Sequence, residues 1–239
     1  MANQRSYIIL AGAFGPELEP FQPLDHQQVE IDNQEFTVIL KESGIGSVKA
    51  AVSVTRWYQE AKKANISISE IVFVGSCGLY TDSKNVTDLQ INDLPSAVFS
   101  SSYCCYELST LTEPPQAKSI ELLSALIQTS LSKEAKLSNR LLATVPNVVV
   151  NSPNAVSLLP IQSSVLAERT NQDKSTLFVE NLEAFGMAYA SLELNLNFSS
   201  FLSVTNLVSN EGSIDWQKNF IRGANLLYQL VSTQFKLKS

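Results

Sequence analysis

The sequence predicts an α/β fold in which a central sheet carries helices on both faces. Short apolar segments alternate with amphipathic ones along all 239 residues, an order typical of strands joined by helical crossovers. No repeat, low-complexity tract or linker interrupts the alternation, so residues 1–239 are expected to form one domain. Sheets of this kind bind ligands beside the carboxyl ends of their strands.

The predicted strands are apolar runs that end in turn residues. The first three are "SYIILAGAF", "EFTVILKE" and "EIVFVGSCG". Further along, "RLLATVPNVVV" is expected to be a strand pair or a bent strand. "TLFVE" is expected to be a strand that enters a helix, and "FLSVTNLVSN" a last strand.

The predicted helices follow apolar spacings of three and four residues. "VKAAVSVTRWYQEA" places Val48, Ala51, Val52, Thr55 and Tyr58 on one face. "SIELLSALIQTSL" is amphipathic, and "FVENLEAFGMAYASLEL" predicts a buried helix entered from a strand. In the closing helix, Ser213 is the expected cap, and the apolar stripe comprises Phe220, Ala224, Leu227 and Val231.

Composition excludes several classes of function. The net charge is −6 with no basic cluster, so a nucleic-acid partner is not expected. His26 is the only histidine; it is expected at the surface, and a histidine-rich metal site is excluded. An odd cysteine count of three argues against a disulfide framework and predicts a cytoplasmic protein. No apolar run reaches the ~20 residues that span a bilayer.

Glycines mark a predicted site at one edge of the sheet. Six of the nine glycines follow the first three predicted strands: Gly12, Gly15, Gly44, Gly46, Gly75 and Gly78. Glycine lets backbone approach a ligand closely. One such turn alone would indicate only a tight connection, but three of the same design at one edge favour a binding site.

Acidic residues near these turns are the candidate chemical groups. Glu17 follows the first glycine turn, and Glu180 and Glu183 stand where a buried helix begins. Burial of an unpaired carboxylate is costly, which favours a functional or networked role. The alternatives are a solvated loop acid for Glu17 and, for Glu183, a carboxylate satisfied by helix N-terminal amides. Cys77 is expected to be an inert core cysteine rather than a reactive thiol, and Asp93 to end or turn a strand.

Five motifs in order resemble the nucleoside phosphorylase superfamily. They are "LAGAFGPEL", "KESGIGSVKAA", "VFVGSCGLY" with "INDLPSAV", "FVENLEAFGMAYA" and "NLVSNEGSIDW". They look most similar to its hydrolytic branch, the methylthioadenosine/S-adenosylhomocysteine nucleosidases and, closest, the futalosine hydrolases. The resemblance implies a three-layer α/β/α domain with a central mixed sheet. It also implies a homodimer, a purine nucleoside as ligand, and no cofactor or metal.

The resemblance assigns roles to individual residues. Glu17 corresponds to the acid that activates the attacking water, and Glu183 to the acid that accepts hydrogen bonds from ribose. Leu182 replaces a methionine packed against the sugar. Ser76 and Gly78 are expected along the sugar and base. Spacing alone puts Val149, Val150 and Phe220 near the base pocket.

The Ser209-Asn210 pair departs from the pattern of the adenine-directed enzymes, which carry aspartate where this chain has Asn210. A basic residue a few positions earlier is also missing, and Asn206 stands near there. An asparagine amide both donates and accepts, which suits a 6-oxopurine such as the base of futalosine. The predicted function is therefore futalosine hydrolysis, releasing hypoxanthine, in menaquinone biosynthesis. The alternatives are a methylthioadenosine/S-adenosylhomocysteine nucleosidase and a catalytically degenerate nucleoside-binding relative.

Overall fold

The computed structural model describes residues 6–81, 94–112 and 126–237. Within them the strands are β1 (Ser6–Gly12), β2 (Gln28–Ile31), β3 (Gln34–Glu42), β4 (Ser67–Leu79), β5 (Ser96–Cys104), β6 (Ile127–Gln128), β7 (Asn147–Asn151), β8 (Phe178–Glu180), β9 (Phe198–Leu207) and β10 (Lys236–Leu237). The helices are α1 (Gly15–Leu18), α2 (Ser47–Lys63), α3 (Leu108–Leu111), α4 (Lys136–Leu142), α5 (Ser163–Thr170), α6 (Ala184–Glu193) and α7 (Gly212–Ser232), with a 3₁₀ turn at Glu19–Leu24.

One mixed sheet runs through these residues in the order β10-β2-β3-β1-β4-β8-β7-β5-β6, and β9 bonds to both β4 and β5. Strand β4 is parallel to β1 and β9 and antiparallel to β8. The pairings β4–β8–β7–β5–β9–β4 return to their starting strand. Half of the sheet therefore closes into a ring, and the other half stays open.

Helices cover both faces of the open half. Because side chains alternate along a strand, Ile9 and Ala11 of β1 pack in one cluster with α2 and α6. Ile8 and Leu10 pack in the other cluster with α4 and α7. This arrangement confirms the predicted three-layer α/β/α architecture with a central mixed sheet.

Two strand-and-helix predictions need correction. Residues 140–146 were expected to be strand, but α4 extends to Leu142 and only Asn147–Asn151 is strand. The reason is a distant carboxylate: buried Glu70 accepts hydrogen bonds from the amides of Leu137 (2.9 Å) and Ser138 (2.9 Å), which stabilises the start of a helix. The predicted helix at 119–131 lies outside the described residues up to 125, and its described part contains the strand Ile127–Gln128. Asp93 also lies outside them.

The predicted face of α2 is present but points to solvent. Val48 is 75% and Val52 is 62% exposed, whereas Ala50, Val54 and Trp57 are buried against the sheet. An apolar stripe is thus left without a partner within the chain.

The closing helix behaves largely as predicted. Ala224, Leu227 and Val231 are buried. The helix begins at Gly212, however, so Ser213 lies within its first turn instead of capping it. Phe220 is half-buried. His26 is exposed, as expected, with a positive φ of 58°.

Helices α2 and α6 approach each other unusually closely. A Cβ atom on Gly186 would lie 2.1 Å from the carbonyl oxygen of Ser47, so only glycine permits this contact. The Ser47 hydroxyl donates to the carbonyl of Leu182 at 2.7 Å. This contact fixes the glycine turn before α2 against the segment that precedes α6. Within the described residues, no helix combines the length and apolarity needed to cross a membrane.

Candidate active site

A cavity of about 470 Å³ opens where strand β4 changes neighbours. Strand β1 pairs with β4 only as far as Phe73, and β8 joins the same edge at Gly78. Gly75 and Ser76 lie in the interval between these pairings, and Ser76 lines the cavity. Seven separate segments of the chain line the cavity: Ala13, Phe14, Glu17, Ile45, Ser76, Cys77, Gly78, Val156, Glu180, Asn181, Leu182, Glu183, Asn206, Gly212, Ser213, Trp216 and Gln217.

Glu17 fills the gap in the sheet. Its Oε1 accepts hydrogen bonds from the amide (3.0 Å) and the hydroxyl (2.8 Å) of Ser76. Its Oε2 accepts one from the amide of Ala13 at 3.2 Å. Burial raises the pKa of this carboxyl, and the hydrogen bonds from Ser76 and Ala13 oppose that rise. A Cβ on Gly75 would lie 3.3 Å from Oε2, so a glycine there leaves room for the carboxylate.

Glu183 enters the same cavity from the residue before α6. Its Oε1 accepts a hydrogen bond of 2.9 Å from the amide of Gly46, which has a positive φ of 91°. Burial raises the pKa of Glu183 to about 7, the Gly46 amide opposes this, and the charge of Glu17 adds to it. The two carboxyl groups therefore interact electrostatically.

Asn181 holds this corner together. Its Oδ1 accepts from the amides of Glu183 (3.0 Å) and Ala184 (2.9 Å), so it caps the start of α6. Its Nδ2 donates to the carbonyl of Ser76 at 3.1 Å. One side chain thereby links the strand that contacts Glu17 to the helix that carries Glu183.

A third buried carboxylate, Glu180, also lines the cavity. It accepts hydrogen bonds from the hydroxyl of Tyr80 (2.5 Å) and from the amide of Ser157 (2.9 Å). Asn151 Nδ2 donates to the Tyr80 oxygen at 2.9 Å, which directs the tyrosine proton toward Glu180. Burial and the Glu180 charge raise the pKa of Tyr80 well above its usual value.

Asn206 reaches the cavity because of a β-bulge. The register between β4 and β9 shifts between Cys77 and Gly78, so that Gly78 pairs with Asn206. A bulge re-aims the side chains that follow it. On the other edge Gly78 pairs with Glu180, and a Cβ on Gly78 would lie 3.0 Å from Asn206 Nδ2. Glu180 and Asn206 thus flank Gly78, about 4.8 Å away on each side.

The structure brings together five of the predicted site residues and leaves five outside the cavity. Glu17, Ser76, Gly78, Leu182 and Glu183 line it. The other five do not: Val149, Val150, Ser209, Asn210 and Phe220.

Physical reasons account for the five that lie outside. Val149 and Val150 of β7 point to opposite faces of the sheet, and both are core residues. Val149 packs with Leu166 and Phe178, and Val150 belongs to the cluster that includes α2 and α6. Ser209 and Asn210 lie beyond the end of β9, where Ser209 is half-buried and Asn210 is exposed, and Phe220 stacks on Trp216. Their predicted roles in binding find no support in this geometry.

Four cavity residues were missed or undervalued by the sequence analysis. Asn181 carries a recognisable signal, since asparagine before an apolar helix is a preferred cap. Glu180 was named as a candidate acid at the start of the buried helix, but it was given no specific role. Trp216 lines the cavity because of where α7 lies, and Asn206 lines it because of a bulge. No local sequence pattern predicts either.

Cys77 lines the cavity but is a poor nucleophile. It is buried, and burial together with the nearby charge of Glu17 raises the pKa of its thiol. Among residues 6–81, 94–112 and 126–237, no cluster of histidine, cysteine, aspartate and glutamate side chains is placed to hold a metal ion.

Several solved structures share this fold across nearly their whole length. The methylthioadenosine/S-adenosylhomocysteine nucleosidase of Helicobacter pylori has a TM-score of 0.69 at 13% identity, covering 97% of this chain and 98% of that chain. The futalosine hydrolase of Helicobacter pylori strain 26695 has a TM-score of 0.68 at 15% identity, covering 96% and 97%. The S-adenosylhomocysteine nucleosidase of Streptococcus pyogenes, solved with 5-methylthiotubericidin, has a TM-score of 0.68 at 14% identity, covering 98% and 97%.

Sequence comparison alone gives no such relation: no protein-family model and no curated protein matches the chain. At these identities the structural likeness establishes the fold. The chain has the fold of the purine nucleosidases and of futalosine hydrolase, as its motifs predict.

The pH dependence of stability should report the burial of Glu183. Folding raises its pKa from 4.5 to about 7, so between these values the folded state keeps a proton that the unfolded state has lost. We expect the free energy of unfolding to decrease as pH rises through this window, by at most about 1.4 kcal/mol per pH unit for this group. In urea titrations, Glu183→Gln should decline less steeply than the wild type. Equal slopes would show that Glu183 is not held protonated by its surroundings.

Proposed function

We propose that the chain hydrolyses the N-glycosidic bond of a purine nucleoside. The observation that carries the proposal is the convergence of two buried carboxyl groups, Glu17 and Glu183, on one cavity at a break in the sheet. Burying two interacting acids is unfavourable for folding, which favours a chemical role. The proteins that share the fold are named as nucleosidases and as futalosine hydrolase.

The two acids suit different steps of this reaction. Glu183 accepts hydrogen bonds from ribose hydroxyls, and its charge stabilises the oxocarbenium-like sugar in the transition state. Glu17 takes a proton from the attacking water. The water oxygen bonds to C1′, the C1′–N9 bond breaks, and its electron pair leaves with the purine. The purine anion takes a proton from solvent water and Glu17 returns its proton to solvent, so the products are a free base and a free sugar.

The raised pKa of Glu17 favours this role. A general base is most effective when its pKa lies near the working pH, and burial moves the carboxyl in that direction. Its hydrogen bonds from Ser76 and Ala13 keep the carboxylate form accessible and fix its orientation.

We place the base near Gly78. Ser76 contacts Glu17, and Gly78 lies two residues further along β4, which is about 6.6 Å. Glu17 and Glu183, which are proposed to contact the water and the sugar, are thus separated from a second group of residues. In that group Glu180, Gly78 and Asn206 lie side by side on three neighbouring strands. Glu180 offers only acceptor atoms, and Asn206 offers an amide.

This second group favours a 6-oxopurine, and we propose futalosine as the substrate, with hypoxanthine as a product, in menaquinone biosynthesis. A carboxylate accepts the N1–H of a 6-oxopurine but repels the N1 lone pair of adenine. Asn206 can donate to O6 or N7. The sequence analysis gave this role to Asn210, and Asn206 now has the better position for it.

Two alternatives remain distinct from this proposal. A methylthioadenosine/S-adenosylhomocysteine nucleosidase would release adenine. A degenerate relative would bind nucleosides and release no base; retention of both Glu17 and Glu183 argues against it, because a binding protein needs only the acid that contacts the sugar.

We propose that the chain forms a homodimer through helices α2 and α6. Their outer surface carries exposed apolar side chains, here named the α2–α6 patch: Ile45, Val48, Val52, Tyr189 and Leu192. Ile45 also lines the cavity, so a partner on this patch would stand beside the cavity mouth. Clustered exposed apolar residues are typical of association surfaces.

We also propose a cytoplasmic location. Cys77, Cys104 and Cys105 are all free thiols in the structure, as in a protein of a reducing compartment.

Hydrolysis should depend on Glu17. Purified protein incubated with futalosine, methylthioadenosine and inosine should release hypoxanthine from futalosine, measured by chromatography of the bases. Glu17→Gln should lower this rate by at least about 10²-fold, because the general base is lost, while calorimetry shows nucleoside binding retained. The matched control is Glu19→Gln, an exposed acid two residues away, which should keep wild-type activity. Near-normal turnover by Glu17→Gln would remove Glu17 from the mechanism.

Base preference should depend on Glu180. We expect the wild type to favour futalosine over its 6-amino counterpart by about tenfold or more in kcat/KM, and Glu180→Gln to reduce that ratio. Tyr80→Phe removes a donor to Glu180 but keeps the carboxylate, so it should retain the preference. If Asn210→Asp changes the ratio and Glu180→Gln does not, base recognition belongs to Asn210. A wild-type preference for the 6-amino substrate would favour the methylthioadenosine alternative.

Dimerisation should depend on the α2–α6 patch. Sedimentation equilibrium should give twice the chain mass for the wild type and a weaker dimer for Val52→Glu, because a buried unpaired charge is costly. Ile221→Glu is the matched control: Ile221 is 56% exposed but belongs to α7, in the opposite helical layer. Equal effects of both substitutions, or a monomeric wild type, would contradict the proposed interface.

A further inference from the structure

We propose that Trp216 is a positioning residue for Glu17: its indole N–H holds the Ser76 hydroxyl as a donor to the carboxylate. Trp216 lines the cavity from the second turn of α7. The motif "NLVSNEGSIDW" ends at this residue, but the sequence analysis assigned it no role. The inference rests on the proposed role of Glu17 as general base, and its test includes a measurement that does not need catalysis.

The direction of the hydrogen bonds follows from which groups can donate. Trp216 Nε1 lies 2.8 Å from Ser76 Oγ, and Ser76 Oγ lies 2.8 Å from Glu17 Oε1. An indole nitrogen can only donate, whereas a hydroxyl has one proton and can also accept. The serine oxygen therefore accepts from Trp216, and its single proton is directed to Glu17.

These linked hydrogen bonds give the two carboxylate oxygens of Glu17 unequal numbers of donors. Oε1 accepts two hydrogen bonds, from the amide and the hydroxyl of Ser76. Oε2 accepts a single longer one, 3.2 Å from the amide of Ala13. Oε2 thus has the greater free acceptor capacity, and it is the oxygen to which a water molecule in the cavity would give its proton.

Aromatic packing fixes the indole in this orientation. Trp216 stacks on Phe220, with ring centroids 4.7 Å apart and planes inclined by 17°. Phe14 lies 6.3 Å from Trp216 and 6.1 Å from Phe220. Because Phe14 immediately precedes α1, which carries Glu17, these rings link the start of α7 to the acid-bearing turn.

The groups that face Glu17 make this hydrogen bond important. Glu183 from the start of α6 and Cys77 from β4 interact with its charge, and Glu180 lines the same cavity. Within the described residues, the ion pairs formed by lysine, arginine and histidine do not include Glu17. Hydrogen bonds therefore oppose the rise in pKa that burial causes. The bond from the Ser76 hydroxyl has the largest opposing effect on the pKa of Glu17.

The test is the pH profile of Trp216→Phe, which keeps a stacking ring but removes the N–H. Once released, the serine hydroxyl can rotate and donate elsewhere. We expect the acid limb of kcat/KM to move to higher pH by about half to one unit, a loss of about three- to tenfold below the limb. At alkaline pH the rate should return to near the wild-type plateau. A loss that is uniform across pH would show a merely structural role and overturn the proposal.

Two further variants separate the hydrogen bond from packing. Phe220→Leu removes the stacking partner but keeps the indole N–H, so its acid limb should shift less than that of Trp216→Phe. Ser76→Ala should shift the limb in the same direction as Trp216→Phe and further. Because Trp216 acts through Ser76, adding Trp216→Phe to Ser76→Ala should cause no additional shift. If the two shifts of the acid limb add in the double variant, Trp216 does not act through Ser76, and the proposal is contradicted.

An infrared titration tests the inference without substrate. The band of protonated carboxyl groups that is lost in Glu17→Gln reports the protonation of Glu17, whether or not the protein hydrolyses nucleosides. In Trp216→Phe this component should titrate at higher pH than in the wild type. An unchanged titration overturns the role of Trp216, whereas a shifted titration in a protein that releases no base upholds it and rejects the proposed hydrolase function.

Discussion

The site depends on one constraint: two carboxyl groups are buried at a break in the sheet, and protein hydrogen bonds are what makes this tolerable. Glu17 is 5% and Glu183 is 4% exposed, and the charge of the first raises the pKa of the second. Glu17 is stabilised by the hydroxyl and the amide of Ser76 and by the amide of Ala13, and Glu183 by the amide of Gly46. Three glycines accompany this arrangement. Gly46 donates its amide to Glu183, Gly75 leaves room for Glu17, and Gly186 permits the close contact of α6 with Ser47, the residue after Gly46.

The break in the sheet arises because β4 has two different neighbours along the same edge. The edge that β1 leaves at Phe73 is taken up by β8 only at Gly78, and the turn carrying Glu17 occupies the interval. On the opposite edge, β9 contributes Asn206 through its bulge. A single strand thus receives the proposed water, sugar and base contacts from both sides, which is why three sequence-distant segments converge there. Asn181 then couples β4 to α6, so the position of Glu183 depends on the same strand.

The features that follow from local sequence patterns were predicted. Those that depend on tertiary contacts or on the register between strands were missed. Apolar runs ending in glycine located β1, β3 and β4, and the acids beside those ends located Glu17 and Glu183. Residues 140–142 were expected to be strand because the run is apolar, yet Glu70, nearly seventy residues earlier, stabilises the helix that ends there. The outer face of α2 looked like a core face, because a sequence does not distinguish a face that packs inside the chain from one left exposed. Asn206 lines the cavity because a bulge places it, and not Thr205, opposite Gly78, and single-sequence periodicity does not encode bulges. Asn210 lies exposed beyond the end of β9. Sequence spacing also could not show that Phe220 supports Trp216.

The most direct test of the central claim is the identity of the sugar product. A purine nucleoside is incubated with the protein with and without inorganic phosphate, and the products are identified by mass spectrometry. If Glu17 delivers water to C1′, free base and free sugar form in equal amounts, and phosphate has no effect. Appearance of a sugar 1-phosphate, a requirement for phosphate, or the absence of any released base would contradict the assignment of the two buried acids to hydrolysis.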